Sequence, residues 1–314
     1  MKNKLVIYSF IGLLSVGAIV TGGMVRNTRS QSVPFGQSQT PQTMQSPDTN
    51  MTDNPHAGHS MAEMNHSGMS EQLEEHHTDT SPNQTSQAKL SVTQTIIPNK
   101  PVRLTINVSD NNAQSINQFD TFQEKLMHLI IVSDNLQNFD HIHPTYKEKG
   151  RFEVEATFPQ AGNYTLFSDY KPSGQKEQVS VLKTQVEGNT SSLPSIDLST
   201  TKTIANTKVN LLFSQPTLKA GQEVKLTFDL KQVANNQPIA DLQPYLGERG
   251  HLVILKQSSP LTRGDYIHAH AIKDTSGGKV EFITSFPQPG KYKLWGQFNR
   301  NGKIVVADFW VNVL

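Results

Sequence analysis

A chain of 314 residues is long enough for two or three domains, each with a core of its own. Its 28 Lys and Arg balance 27 Asp and Glu, which excludes the one-signed field that a nucleic-acid binder needs. The absence of cysteine excludes disulfides, zinc–thiolate and iron–sulfur sites, a thiol nucleophile and a type 1 copper centre. Any metal must then be held by His, Met, carboxylate or backbone.

Residues 1–25 carry Lys2 and Lys4 and then an uncharged run of 21 residues from Leu5 to Val25, long enough to span a hydrocarbon core. This is a signal peptide or a membrane anchor. Val20-Thr21-Gly22 is the nearest cleavage candidate, while Arg26 and Arg29 flank the far end as they would an anchor. Either way the remainder is expected outside the cytoplasm, periplasmic or at the cell surface, touching membrane only through this segment.

Residues 26–87 lack alternating or helical hydrophobicity, and Pro34, Pro41, Pro47, Pro55 and Pro82 recur among Gln, Ser, Thr and Asn, which predicts a disordered linker. Five of the 11 His and five of the 8 Met fall between Met44 and His77. Within it, His56, His59, Met61, Met64, His66, Met69, His76 and His77 are candidate ligands. Imidazole and thioether are neutral, soft-to-borderline donors that suit Cu(I), and a flexible chain can gather three or four of them around one ion. The competing reading is a low-complexity spacer, which leaves the scarcity of Met in the rest of the chain without a reason. The spacing of Met61, Met64, His66 and Met69 resembles the Met- and His-rich stretches of periplasmic copper-resistance proteins and copper oxidases.

From residue 88 the chain repeats itself. Leu126-Met-His128-Leu-Ile-Ile-Val132 is followed by Phe139-Asp-His141-Ile-His143-Pro144 and then by Phe158-Pro-Gln-Ala-Gly162-Asn-Tyr164-Thr-Leu166-Phe167. The second copy runs Gly250-His251-Leu-Val-Ile-Leu255, Tyr266-Ile-His268-Ala-His270 and Phe286-Pro-Gln-Pro-Gly290-Lys-Tyr292-Lys-Leu294-Trp295. Two tandem domains follow, 88–188 and 199–314, joined by 189–198. About seven short strands per copy, with alternation at Val102, Leu104, Ile106 and Val108 and at Val224, Leu226 and Phe228, predict an all-β chain of two tandem immunoglobulin-like or cupredoxin-like β-sandwiches. Tyr164 and Tyr292 sit where a tyrosine corner ties a turn to backbone, and Phe167, Trp295, Phe309 and Trp310 are expected to serve packing.

All six His beyond the linker occupy matching positions: His128, His141 and His143, then His251, His268 and His270. In a strand, residues i and i+2 share a face, so each His-x-His pair presents two imidazoles together. Were the strand-start His to join them, each domain would hold one Cu(II) or Zn(II) site, with Asp140 as an extra ligand or supporting group in the first copy only. Structural histidines inherited from a shared ancestor are the alternative.

The His before an apolar strand, the His-x-His-Pro and the Phe-Pro-x-x-Gly-x-Tyr-x-Leu-Phe pattern resemble the secreted bacterial immunoglobulin-like or YtkA-like domains of copper and heavy-metal handling proteins. The resemblance implies an extracytoplasmic β-sandwich. The second copy departs from it, with Ala271 for Pro144 and Gly296-Gln297-Phe298 for Ser168-Asp169-Tyr170, which makes the second site the expected weaker one.

The leading expectation is a metal-binding protein for copper buffering, resistance or delivery, whose partners are the metal ion and a metal-transport or copper-resistance protein. Next comes a cell-surface interaction module with an incidental His-rich linker. A copper-dependent redox enzyme is third: the His-x-His pair resembles copper/zinc superoxide dismutase, whose cysteines and longer His and Asp set are missing. No nucleophile elbow, phosphate loop or zinc-protease helix motif supports a hydrolase.

Overall fold

The computed structural model describes residues 84–189, 196–273, 275 and 277–314, without the side chains of His268 and His270. The leader and the linker ligands from His56 to His77 therefore lie outside the described residues.

The first domain contains β1 (Ser86–Ser91), β2 (Pro101–Asp110), β3 (Met127–Ser133), β4 (Phe139–Ile142), β5 (Thr145–Glu148), β6 (Arg151–Thr157), β7 (Gly162–Tyr170) and β8 (Gln178–Val186). The second contains β9 (Thr201–Ile204), β10 (Thr207–Phe213), β11 (Glu223–Gln232), β12 (Leu242–Gln243), β13 (His251–Lys256), β14 (Tyr266–His270), β15 (Lys279–Ser285), β16 (Gly290–Arg300) and β17 (Lys303–Val313). The expected seven strands per copy become eight and nine, because short edge strands such as β5 and β12 carry too few residues to show a pattern. The first strand also starts inside the stretch read as linker, at Ser86.

Each domain is a sandwich of antiparallel sheets: β1-β2-β6-β5 faces β4-β3-β7-β8, and β9-β10-β11-β15 faces β12-β16-β13-β14, with β17 paired to β16. In β2 the apolar residues Val102, Leu104, Ile106 and Val108 are buried while Arg103 and Asn107 face solvent, the alternation of a half-covered sheet. Val224, Leu226 and Phe228 fill the second core in the same way. The two tyrosine corners form: the Tyr164 hydroxyl donates to the Gln160 carbonyl at 2.9 Å, and the Tyr292 hydroxyl to the Gln288 carbonyl at 2.7 Å. The chain enters each corner strand at Gly162 (φ 127°) or Gly290 (φ 141°), a conformation that side chains rarely adopt.

Strands β3 and β13 are buried on both faces. Met127, Leu129 and Ile131 point into the first core, and Leu252 and Ile254 into the second. The alternate residues Ile130, Val132, Val253 and Leu255 join Phe167, Trp295 and Trp310 in a third cluster, which holds the two sandwiches together. Phe167, Trp295 and Trp310 thus pack as expected, but between the domains, whereas Phe309 lies in the second core. This contact is two-fold in pattern. Phe139 of β4 stacks on Trp295 of β16 at 4.7 Å, and the equivalent pair, Tyr266 of β14 on Phe167 of β7, stacks at 4.9 Å. The unbroken apolar runs Leu129–Val132 and Leu252–Leu255 are the sequence trace of these doubly covered strands.

Candidate metal centre at the domain interface

The face of β3 that carries Ile130 and Val132 also carries His128, at the end of the interface cluster. Register places Ile130 opposite His141, so His141 shares that face, and His143 follows two residues on. The three side chains come together, with one ring nitrogen of each within 4.8 Å of the others. His128 and His141 are buried, and His143 is partly so. In the second domain His251 is buried and opposite both His270 and Gln297, while Val253 is opposite His268. The expected second site, which needs the side chains of His268 and His270, lies outside the described residues, but the domain contact brings His251 to the first triad. Its ring lies 4.6 Å from that of His141 and stacks on that of His128 at 6.0 Å.

Hydrogen bonds at the outer nitrogens decide which inner nitrogens can bind a cation. His128 Nε2 is 3.2 Å from the Phe122 carbonyl, which can only accept, so the proton sits on Nε2 and the Nδ1 lone pair faces inward. That Nδ1 stands 3.1 Å from His141 Nε2. On its other side, His141 Nδ1 is 2.9 Å from Gln297 Oε1, and His251 Nδ1 lies 3.1 Å from the same oxygen. If His141 donates to Gln297, two lone pairs meet at 3.1 Å, an arrangement that a cation relieves. Two imidazoles on a tetrahedral zinc at about 2.0–2.1 Å stand about 3.3 Å apart, close to this spacing. A neutral alternative turns the Gln297 amide and runs one proton from His141 to His128. That chain leaves out His143, whose Nε2 is buried with no hydrogen-bond partner among the described residues. Burial, reinforced by the nearby His128 and Lys125, pushes the His143 imidazole down to about 3, so it is neutral and able to coordinate at physiological pH.

The turn before β3 is strained to serve this arrangement. Gln123 (φ 44°) and Glu124 (φ 64°) both occupy the left-handed region, which disfavours side chains with a Cβ. The turn aims the Phe122 carbonyl at His128 and brings Gln123 Oε1 to 3.2 Å from His251 Nε2. The Phe122 ring meets His128 edge-on at 4.8 Å, and Tyr245 stands edge-on 6.4 Å from both His141 and His251. Sequence reasoning missed Gln123, Phe122 and Gln297, since an amide or a carbonyl that holds a histidine has no motif. Asp140 does not join this cluster. Alternation turns it away from His141, and its carboxylate accepts from the His141 backbone N–H at 2.9 Å.

No curated protein matches the chain. Among solved structures it is similar to the Escherichia coli adhesin FdeC, at 16% identity over 73% of this chain and 65% of that one, with a TM-score of 0.26. It is also similar to Escherichia coli alpha-2-macroglobulin activated by porcine elastase, at 14% identity over 73% of this chain and 20% of that one, with a TM-score of 0.25. The chain thus spans less than two thirds of either structure's length. A family model matches twice, at residues 83–188 and 202–314, so the chain belongs to the family described as Domain of unknown function (DUF8832) and carries its domain in tandem.

Proposed function

We propose that the chain is an extracytoplasmic metal-binding protein that handles copper, with a nitrogen-only centre between its two sandwiches and a soft Cu(I) acceptor in the Met- and His-rich linker. The carrying observation is the His128, His141 and His143 triad with its orphaned, neutral His143 Nε2. A buried imidazole nitrogen without a partner is costly, and a metal ion satisfies it. Neutral imidazoles alone suit Cu(II) or Zn(II), while Met61, Met64 and Met69 add the thioethers that favour Cu(I). The reading is one of binding rather than catalysis: buffering, resistance or delivery to a metal-transport or copper-resistance partner. The N-terminal apolar run, as signal or anchor, supports an extracytoplasmic setting.

A second reading, a cell-surface interaction module, draws on the tandem immunoglobulin-like architecture, which serves binding in many proteins without any metal. Titration separates the two. The chain is titrated with Cu(I), Cu(II) and Zn(II) against chelators, beside a variant with Met61, Met64 and Met69 replaced by Leu. The metal reading expects the variant to lose Cu(I) capacity and to retain Zn(II). Failure of both proteins to hold any ion against a weak chelator leaves the interaction module standing.

A further inference from the structure

The polar contacts around His128 and His141 close into a circuit that crosses between the domains twice. On the first crossing His141 Nδ1 meets Gln297 Oε1 of β16 at 2.9 Å, and the same oxygen lies 3.1 Å from His251 Nδ1 of β13. On the second, His251 Nε2 stands 3.2 Å from Gln123 Oε1, back in the first domain. Gln123 directly follows Phe122, whose carbonyl holds His128 Nε2 at 3.2 Å, so the circuit starts and ends in one turn. With Nδ1 protonated on both His141 and His251, the two lone pairs of Gln297 Oε1 are both used. Turning the Gln123 amide end for end then places an N–H at His251 Nε2. The one junction of the circuit left without a proton is the 3.1 Å between His128 Nδ1 and His141 Nε2, where a cation fits.

Resting on the metal-centre reading above, we infer that Gln297 is a positioning residue that the second sandwich lends to the first, so that ion binding and domain docking are one coupled equilibrium. All three ligands belong to the first domain, whereas the side chain that sets the tautomer of His141 belongs to the second. Held through Nδ1–H, the His141 ring keeps its Nε2 lone pair turned towards His128; released from Gln297, it is free to exchange tautomers and to rotate. Loss of such an acceptor behind a ligating imidazole costs about 10- to 100-fold in metal affinity. Coupling is reciprocal, so an ion that prefers the docked form by that factor favours docking by the same factor.

The test uses the full chain with its linker ligands silenced: His56, His59, His66, His76 and His77 replaced by Gln, and Met61, Met64 and Met69 by Leu. Zn(II) is titrated at pH 7.5 in competition with a chelator dye, and circular dichroism checks the fold. The ion of interest is the one that His143→Leu abolishes. Gln297→Leu, which keeps the bulk and removes the acceptor, should weaken that ion by about 10- to 100-fold, whereas Gln297→Glu, which can only accept, should hold it at least as tightly as the unsubstituted residue. Docking has its own readout, because the two Trp of the chain, Trp295 and Trp310, both lie on second-domain strands within the interface cluster. Zn(II) held by first-domain ligands should raise the urea midpoint of their emission shift. If Gln297→Leu does not fold, the Gln297→Glu and emission arms decide. A bound ion that Gln297→Leu moves by less than about twofold, against the 10- to 100-fold expected of an orienting partner, or an emission midpoint that Zn(II) leaves in place, would overturn the inference while leaving the metal reading intact. A silenced chain that binds no Zn(II), or whose every ion survives His143→Leu, would overturn the metal reading itself.

Discussion

Replacing Trp295 by alanine tests the domain contact on which the centre depends. The side chain is 2% exposed, and its ring stacks on Phe139 of the other sandwich at 4.7 Å and 13°. Removing a fully buried Trp costs about 3–5 kcal/mol, of which the aromatic pair accounts for about 0.5–1.5 kcal/mol. For a folded unit of this size about 1 kcal/mol moves the melting temperature by about 2–4 °C, so a fall of about 6–20 °C is expected. The loss lies between the domains, in the cluster with Ile130, Val132, Val253 and Leu255, and both sandwich cores are left intact. Scanning calorimetry should therefore show either that lowered transition or two separate ones as the sandwiches melt independently. Zn(II) affinity should fall with it, because Gln297 and His251 are no longer held against His141. A shift under about 2 °C, less than about 1 kcal/mol, with unchanged affinity would mean that this contact neither joins the sandwiches nor positions the histidines.

His143→Leu should abolish metal binding at the His128, His141 and His143 cluster while leaving apo stability unchanged or raised by about 1 kcal/mol, because an orphaned polar atom is removed from the interior. In the metal-free protein the folded His143 titrates near 3 and the unfolded one near 6.5, so the unfolded chain takes the proton first. Its contribution to stability is lost as pH falls from about 6.5 towards about 3, and pH-dependent melts of wild type and His143→Leu should diverge in that window. Tyr164→Phe and Tyr292→Phe, each losing one corner hydrogen bond, should cost about 0.5–1.5 kcal/mol apiece in urea unfolding. Glu124→Gly relieves one left-handed residue and should raise thermal stability by about 1 kcal/mol; a loss would show that the turn is unstrained.

The sandwiches and the grouping of His128, His141 and His143 are legible in the sequence because their signals are local. Val102 to Val108 alternate, the Gly-x-Tyr corners mark strand entries, and His-x-His spacing puts two rings on one face whatever the tertiary context. The docking of one sandwich on the other was not read, although Leu129–Val132 and Leu252–Leu255 held its trace in their lack of alternation. Without that contact nothing in the spacing sets His251 beside His141. The residues that orient the histidines, Gln297, Gln123 and the Phe122 carbonyl, act across loops or domains. No sequence spacing encodes such a relation. The linker ligands His56 to His77 rest on composition and chemistry alone.

The proposed function stands on an ion bound among His128, His141 and His143. An anomalous-difference map at the zinc absorption edge, from crystals of the chain grown with Zn(II), tests it most directly. The expected result is a peak at the domain interface with ring nitrogens of all three residues about 2.0–2.1 Å from it. Full-occupancy zinc found only on the surface, with His143 Nε2 still buried and unpartnered, would contradict it.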